Sequence, residues 1–414
     1  MTSNVGFPGR VSRRSLMTGA GACLALDRIR VEAQEGAAVR KPRLAAVVTE
    51  YRENSHADVI VTKMLEGCRT LDLVYDPAVS IASLYIDQPK TSGLGLELAA
   101  KHRVPVFQTI AEAIRLGGAA PAVDGVLLIG EHGAYPYNQI GQHLYPRKRF
   151  FDEAAAVVAA ANRPIPFFND KHLSYDFHQA QAMVDEARRL KIPFLAGSSV
   201  PVSWRKPDFQ LEAGARLTSA LAIGYGGTEA YGFHALEGLQ CMVERRAGGE
   251  TGVRSVRCLS DAAVWDAGDR GLWSWDLLRA ALKTGPKPEL ATAPMDKIRD
   301  ATRKPDAFVV EYRDGLKATV LMLYGLVTEF YFAGSEAGKE TPVATQFWLQ
   351  EGKPFGHFGR LCQAIERLVL EMKAPYPVER TLLTTGILDA AMHSRADGGA
   401  LRATPELNVT YRVP

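Results

Sequence analysis

The sequence has few cysteines, and their spacing gives them no shared structural role. Only five occur among 414 residues, and no two form a CxxC pair. Four of them lie beyond the first thirty residues, namely Cys68, Cys241, Cys258 and Cys362. Because they are so scattered, the sequence predicts neither a disulfide framework nor a thiolate metal site. We expect these thiols to be buried and unreactive.

Strong charge of one sign and long apolar runs are also missing. The formal net charge is +3, and no basic stripe alternates with aromatic residues, so nothing indicates nucleic-acid binding. Beyond the N-terminal segment no run approaches the roughly 20 apolar residues that a spanning helix needs. Internal repeats are absent as well. The length instead suits two ordinary globular domains.

The N-terminal segment is of a different kind. The stretch SRRSLM, with Arg13 and Arg14 paired, precedes a short run rich in glycine and alanine. This pattern resembles a twin-arginine export signal. We therefore expect residues 1–35 to form that signal and the protein to be periplasmic or otherwise exported.

Residues 42–200 alternate between short apolar runs and segments of helical spacing. Apolar runs such as RLAAVV, VSIASLYID, VDGVLLIG and IPFLAGSS are separated by helical segments such as FFDEAAAVVAAANR. Continuous apolar strands separated by helices are typical of a parallel sheet covered on both faces. The sequence therefore predicts a Rossmann-like, doubly wound domain in an α/β protein.

Residues 201–414 have another character. Asp314-Gly315 lies between two strand-like runs, which is a strong hairpin signal. Several further strand-like runs follow, and two helical segments close the chain. We expect a C-terminal α+β domain with a large, mostly antiparallel open sheet, against which the final helices pack back.

The order of these segments resembles the Gfo/Idh/MocA family of glucose–fructose oxidoreductase and inositol dehydrogenase relatives. The resemblance is carried by SLYIDQ, by LAAKHRVPVFQTIAEAI, by FFNDKHLSYDFHQAQAMVDEARRLKIPFLAGSS and by GFHALEGLQCMVERR, with ERTLLTTGILDAAMHSR near the end. It implies an NAD(P)-dependent oxidoreductase acting on a carbohydrate or polyol. It also implies homo-oligomers formed through the open face of the C-terminal sheet.

The loop after the first strand departs from that family. Where the family has GxGxxGxxH, this chain reads TEYRENSH over residues 49–56. No glycine is present, and Glu50 and Glu53 occupy positions where a pyrophosphate would lie. Unit charges about 4 Å apart repel by roughly 1–4 kcal/mol in wet surroundings. We therefore expect any NAD(P) binding to be atypical.

Proton-handling residues are predicted from two further motifs. Lys171 matches the family's catalytic lysine, while Asp170 and His172 replace its glutamate and proline neighbours. His234 matches the family's relay histidine, but Ala230 replaces the relay aspartate. The resemblance thus implies catalytic roles for Lys171 and His234. Carboxylates beside this histidine are Glu229 and Glu237, and we include both as catalytic candidates.

Polar residues also cluster where the predicted parallel strands end, which is where doubly wound sheets bind ligands. As cofactor-binding candidates we take Glu50, His56, Asp87, Glu131 and Asp170. Imidazoles with a carboxylate would also suit a divalent metal. The candidate ligands for such a metal are His132, His172, His234 and Glu131.

Three functions remain open on the sequence alone. The first is an exported oxidoreductase that acts on a carbohydrate or polyol with atypical NAD(P) binding. The second is a metal-assisted lyase, hydrolase or isomerase that uses the histidines and carboxylates of the cleft. The third is a non-catalytic relative that binds a sugar or a partner.

Overall fold

A parallel sheet organises the first half of the chain, in a computed structural model that describes residues 40–350 and 352–413. The predicted export signal lies outside the described residues. The strands and helices up to residue 197 are, in chain order, β1 (Arg43–Val48), α1 (Lys63–Glu66), β2 (Cys68–Arg69), β3 (Val74–Tyr75), β4 (Ser80–Ile86), α2 (Gly93–His102), β5 (Val106–Phe107), α3 (Ile110–Arg115), β6 (Gly125–Ile129), α4 (Arg147–Ala161), β7 (Phe167–Asp170), α5 (Phe177–Arg189) and β8 (Phe194–Gly197).

Six of these strands form one sheet in the order β5-β4-β1-β6-β7-β8, with every neighbouring pair parallel. The strands β1 and β6 are almost entirely buried, as a sheet covered on both faces requires. One face packs against α3, α4 and α5. The other packs against α1 and its preceding π-helical turn (Asp58–Thr62), and against α2. The predicted Rossmann-like fold is confirmed.

The second half is built on a larger, mostly antiparallel sheet. Its elements are, in chain order, β9 (Trp204–Lys206), β10 (Leu217–Gly224), α6 (Thr228–Val243), β11 (Val253–Ser260), α7 (Ala262–Asp269), α8 (Trp275–Lys283), α9 (Met295–Ala301), β12 (Asp306–Tyr312), β13 (Lys317–Met322), β14 (Phe330–Glu336), β15 (Val343–Trp348), α10 (Gly356–Glu371), α11 (Glu379–Ala396) and β16 (Arg402–Ala403).

The eight strands lie in the order β16-β11-β12-β13-β10-β14-β15-β9, and only β10 and β13 run parallel. The predicted hairpin joins β12 to β13, and Gly315 supplies its left-handed residue with a φ of 91°. The helix α10 packs back on the parallel sheet beside α1, while α6 and α11 cover one face of the large sheet. The two-sheet fold class is thus confirmed. The domain boundary near residue 200 stays a prediction, because the chain from Lys41 onward packs as one unit.

The other face of the large sheet is not open. Helices α7, α8 and α9 cover it: Trp265, Leu278 and Leu282 pack on the buried strand residues Leu221 and Ile223. The expectation of oligomers through an open sheet face is therefore not supported, since the chain itself buries that face.

The cysteine prediction is confirmed, because all four cysteines named above are buried and unpaired. Within the described part of the chain, helices of sufficient length lack the apolar character needed to cross a membrane.

Candidate active site

A cleft of about 490 Å³ lies at the carboxyl ends of the parallel strands. The loops after β1, β6 and β7 form one wall, and the first turns of α6 face them. One side is closed by residues before α10 and in its first turn, namely Leu349, Gly352, Phe355, His357 and Phe358. Of the predicted site residues, those that line the cleft are His56, Glu131, His132, Lys171, Glu229 and His234. The convergence predicted from the strand ends is therefore present.

The loop after β1 fills the space that a glycine-rich loop would leave. Tyr51 is fully buried, its backbone N–H donates to Ser92 Oγ at 2.8 Å, and its hydroxyl lies 2.8 Å from Thr62 Oγ1. It packs so closely on α2 that a Cβ at Gly95 would lie 2.5 Å from the Tyr51 Cβ. Glu50 is buried beside it, accepting from Arg52 Nε at 2.6 Å.

The helix that follows is capped by its own residues. Asp58 Oδ2 accepts from the Asn54 backbone N–H at 2.8 Å, and Ser55 Oγ accepts from the Asp58 N–H at 3.3 Å. In a dinucleotide-binding domain these N–H groups would bind the pyrophosphate. Here a carboxylate already occupies the positive end of the helix.

Asp87, at the end of β4, is likewise committed. Its Oδ1 accepts from the Tyr85 hydroxyl and from Arg149, each at 2.6 Å, and its Oδ2 accepts from the Tyr135 hydroxyl at 2.6 Å. Burial opposes its charge, but these donors hold the pKa of Asp87 below its ordinary value. An acidic residue here would bind ribose hydroxyls in a dinucleotide domain, and these partners saturate it instead. Loop, helix end and Asp87 together do not fit a dinucleotide bound in the usual manner.

A histidine–carboxylate pair joins the loop after β1 to the carboxyl end of β7. His56 Nδ1 lies 2.6 Å from Asp170 Oδ2, and Asp170 is 1% exposed. Because an ionised carboxylate only accepts, Nδ1 carries the proton and Nε2 keeps its lone pair. The second oxygen of Asp170, Oδ1, is buried and has no partner among the described residues. The contact with Asp170 therefore fixes the orientation of the His56 ring on the cleft wall.

Glu131 and Lys171 form the floor. Lys171 Nζ lies 2.9 Å from Glu131 Oε1 and donates to the Ala230 carbonyl at 3.4 Å, while Arg147 pairs with the other Glu131 oxygen. Burial disfavours the charge of Glu131, but Lys171 and Arg147 hold its pKa well below the ordinary value. Two cleft residues, His132 and Lys171, have φ values of 70° and 62°, a strained conformation that is concentrated at functional sites.

His172 lies directly behind this floor rather than in the cleft. Its Nε2 accepts from Arg147 at 2.9 Å, so its proton sits on Nδ1, which is buried and unpartnered among the described residues. Burial and then Arg147 lower its pKa. Glu229 Oε1 lies 3.5 Å from the same ring. Glu229 thus faces the floor from α6, in the position where the relay aspartate was missing from the sequence.

Three further imidazoles line the cleft, and burial keeps them neutral. The pKa of His132 is lowered to about 3 by burial and by His56, and that of His357 to about 3 by burial. Burial and then Lys171 lower the pKa of His234 well below its ordinary value. The ring of His56 is 5.3 Å from that of His132 and 6.5 Å from that of His234.

The expected metal set is not assembled. Both oxygens of Glu131 are taken by cationic side chains, and His172 is turned toward Arg147. Among the described residues, no group of three or more histidine, cysteine or acidic side chains is arranged to hold a metal ion. The prediction of a metal at His132, His172, His234 and Glu131 is therefore not supported.

Glu237 does not reach the cleft. It is fully buried between α6 and α11, where its Oε1 accepts from Thr384 at 2.8 Å and Thr381 at 3.3 Å. Burial raises its pKa to about 7. Its expected catalytic role is therefore not supported, because one helical turn beyond His234 leads into the helix interface.

Aromatic rings provide the remaining walls. Tyr137 stacks on His143 at 4.1 Å, and His143 lies 3.9 Å from Tyr145. Tyr137 is 64% exposed, so its ring is presented to solvent at the mouth. The sequence analysis missed two histidines of the cleft, His143 and His357. His357 belongs to α10 and lies some 300 residues along the chain from His56. Its sequence surroundings, FGHFG, do not indicate that it lines the same cleft.

Comparison with known proteins finds similarity in structure alone. No protein-family model and no curated protein sequence matches the chain. Solved structures match over 88% of it: GenD2 from gentamicin A biosynthesis in complex with NAD has a TM-score of 0.54 at 15% identity, with 97% of that chain covered. Apo scyllo-inositol dehydrogenase from Lactobacillus casei has 0.54 at 10% identity, with 98% covered.

A third match is an oxidoreductase from Agrobacterium radiobacter in complex with NAD+, L-tartaric acid and magnesium, with a TM-score of 0.54 at 12% identity and 98% of that chain covered. At such identities the likeness speaks for the fold. The order of elements, the two sheets and these neighbours agree with the sequence resemblance. The chain therefore has the fold of the Gfo/Idh/MocA-type inositol and sugar dehydrogenases, as a divergent member would.

Proposed function

We propose that this protein is an enzyme that transforms a small polyhydroxylated substrate, a carbohydrate or polyol, by acid–base chemistry in the cleft. The observation that carries the proposal is the pair His56–Asp170, at 2.6 Å, on the wall of a cleft at the carboxyl ends of the strands. A buried carboxylate that fixes the tautomer of an imidazole makes the other nitrogen an effective base.

In this proposal His56 Nε2 removes a proton from the substrate, and Asp170 stabilises the imidazolium that forms. Lys171 uses one ammonium N–H on Glu131 and one on the Ala230 carbonyl, which leaves a third donor for a substrate oxygen. The buried Glu131 carboxylate and the Ala230 carbonyl hold this lysine in place. The exposed ring of Tyr137 offers a face on which a sugar ring can stack.

The reaction class follows from what accompanies the base. The closed pyrophosphate position and the saturated Asp87 favour an isomerisation or elimination that needs only proton transfers. The second candidate is oxidoreduction with NAD(P) bound atypically, and the fold of the NAD-complexed neighbours favours it. Both candidates use His56 as the base.

The test compares substrate turnover by the wild type with turnover by the variants His56→Gln and Asp170→Asn, over a panel of sugars, polyols and sugar acids followed by NMR. We expect a loss of 10²- to 10⁴-fold for His56→Gln. The matched control is His102→Gln. His102 also pairs with a carboxylate, since its Nε2 lies 2.9 Å from Glu66 Oε1, but this pair is outside the cleft. Unchanged turnover in the His56 variant would overturn the proposal.

Nicotinamide released from the denatured protein decides between the two candidates. A stoichiometric amount would establish the redox candidate, whereas turnover without any nicotinamide would establish the proton-transfer one. If the wild type binds sugars but converts none with or without NAD(P), the protein is a binding protein and the proposal fails.

We also propose export through the twin-arginine pathway, on the sequence motif alone. Replacing Arg13 and Arg14 together by lysine should retain the protein in the cytoplasm on cell fractionation. Export at the wild-type level would contradict this.

A further inference from the structure

A second cavity, of about 210 Å³, lies behind the cleft and shares none of its lining residues. The helix α6 borders both spaces: His234 lines the cleft, and Cys241 lines the second cavity. Seven residues of helix separate these two positions, which corresponds to roughly 10 Å along its axis. The second cavity is therefore a separate place on the molecule rather than an extension of the cleft.

The charge of this cavity is strongly positive. Arg205, Arg245 and Arg380 line it, and Glu244 is the one acidic residue among its lining residues. Three positive charges against one negative charge leave a net charge of +2. Arg380 donates to Glu244 through two nitrogens, and Tyr411 donates to the same carboxylate at 2.8 Å, so Glu244 is already saturated. The other two guanidinium groups have no carboxylate partner in the cavity.

Hydrogen-bond donors around the cavity are left unused. The Tyr376 hydroxyl and the Nε of Arg205 are buried without a partner among the described residues, and Tyr376 is 7% exposed. Arg245 donates its Nε to the Leu211 carbonyl at 2.5 Å, and its two terminal nitrogens have no hydrogen bond to the described residues. A buried donor without an acceptor is costly. The donors also come from three different segments, so they surround the space rather than form a flat row.

We propose that this cavity binds a small tetrahedral oxyanion of the phosphate class. A phosphate dianion matches the net charge of +2, and its four oxygens can accept from donors that point in from several sides. Arg205 and Arg245 neutralise its charge, and the Tyr376 hydroxyl donates to one of its oxygens. Arginine is well suited to such recognition because its planar fork matches phosphate geometry.

The experiment titrates inorganic phosphate into the full-length protein by calorimetry, at an ionic strength held constant with sodium chloride. We expect saturable binding to the wild type. Tyr376→Phe removes only an unpartnered hydroxyl and should fold normally, yet bind phosphate about tenfold more weakly. Arg205→Gln should weaken binding by at least about tenfold. The control is Arg270→Gln, because Arg270 also donates its Nε to a backbone carbonyl but lies on an exposed helix end.

A second titration, with glycerol 3-phosphate, identifies the source of the oxyanion. Tighter binding than that of phosphate supports a phosphorylated metabolite, and weaker binding supports free phosphate. The proposal is overturned if neither probe binds the wild type, or if Tyr376→Phe and Arg205→Gln bind as the wild type does. Because these residues lie outside the cleft, the result is independent of the His56 experiment.

Discussion

Two regions of the molecule bury charged side chains, and they treat them differently. In the second half, Arg246 and Glu250 form a pair in which every oxygen is used. Glu250 accepts from Arg246, from Gln240 at 2.5 Å, and from the backbone of Thr251 and Gly252 at 2.8 Å each. Arg246 also reaches Asp314 at 2.7 Å. This interior network is complete without any ligand.

In the cleft, by contrast, several buried polar atoms lack a hydrogen-bond partner in the described part of the chain. Asp170 Oδ1, His172 Nδ1 and His234 Nδ1 are buried, and none has a partner among the described residues. Each such atom costs about 1–3 kcal/mol relative to a satisfied one. Both regions have similar residue types and similar burial, so composition does not separate them. Completeness of the hydrogen bonding does, and it supports the proposal that the cleft binds a ligand.

Breaking each network should therefore have unequal effects on stability. Arg246→Met leaves Glu250 buried without its cation, and we expect the free energy of unfolding to fall by about 3–5 kcal/mol. Lys171→Met leaves the buried Glu131 carboxylate paired with Arg147, so we expect a smaller fall in the free energy of unfolding, about 1–3 kcal/mol. Urea denaturation of both variants measures the difference. Equal losses would mean that the cleft network also serves mainly to hold the fold.

Glu237 also lies in the interior, but its burial disfavours the charged carboxylate. Its folded pKa of about 7 exceeds the ordinary 4.5, so the folded state binds more protons than the unfolded state between these values. The stability it contributes is present below pH 4.5 and is lost as the pH rises through 7. At pH 8 the charged carboxylate costs about 3 kcal/mol.

Glu237→Gln imitates the neutral acid and should therefore be more stable than the wild type at pH 8, by up to about 3 kcal/mol. The advantage should shrink toward pH 4.5. Unfolding curves at the two pH values test this, with the exposed Glu97→Gln as the control. A variant less stable than the wild type at pH 8 would show that the carboxylate is needed in its charged form.

The fold could be predicted because its signals are local. Alternating apolar strands and helices specify the parallel sheet, and the ends of parallel strands must meet at one edge. This rule brought His56, Glu131 and Lys171 together from distant parts of the sequence. Asp314-Gly315 likewise specified its hairpin. The helix α8 had an overlooked signal: Ser274 caps it, with its Oγ accepting from the Leu277 N–H at 3.2 Å, and apolar residues follow at helical spacing.

What failed depends on packing between segments far apart in the sequence. Glu237 is placed by α11, whose threonines donate to it. Asp87 is saturated by Tyr135, from the loop after β6, and by Arg149, from the first turn of α4, and no motif marks either residue. The metal prediction is not supported for the same reason. Residue types suited to a metal are present, but Arg147, at the start of α4, hydrogen-bonds to both Glu131 and His172.

The smallest expected effect concerns His132, on the cleft side of the comparison. Its folded pKa of about 3 lies below the ordinary 6.5, so the unfolded state binds the extra proton as the pH falls between these values. Its contribution to stability is complete above pH 6.5 and is lost toward pH 3. His132→Asn removes the titrating group, and asparagine tolerates the φ of 70° found there. Relative to the wild type, the variant should therefore gain about 2 kcal/mol between pH 7 and pH 4.5, as measured by urea denaturation with His143→Asn, at another histidine of the cleft, as control. An identical pH dependence in variant and wild type would mean that His132 is open to water, and the cleft would then be wetter, and its bases more readily protonated, than its burial implies.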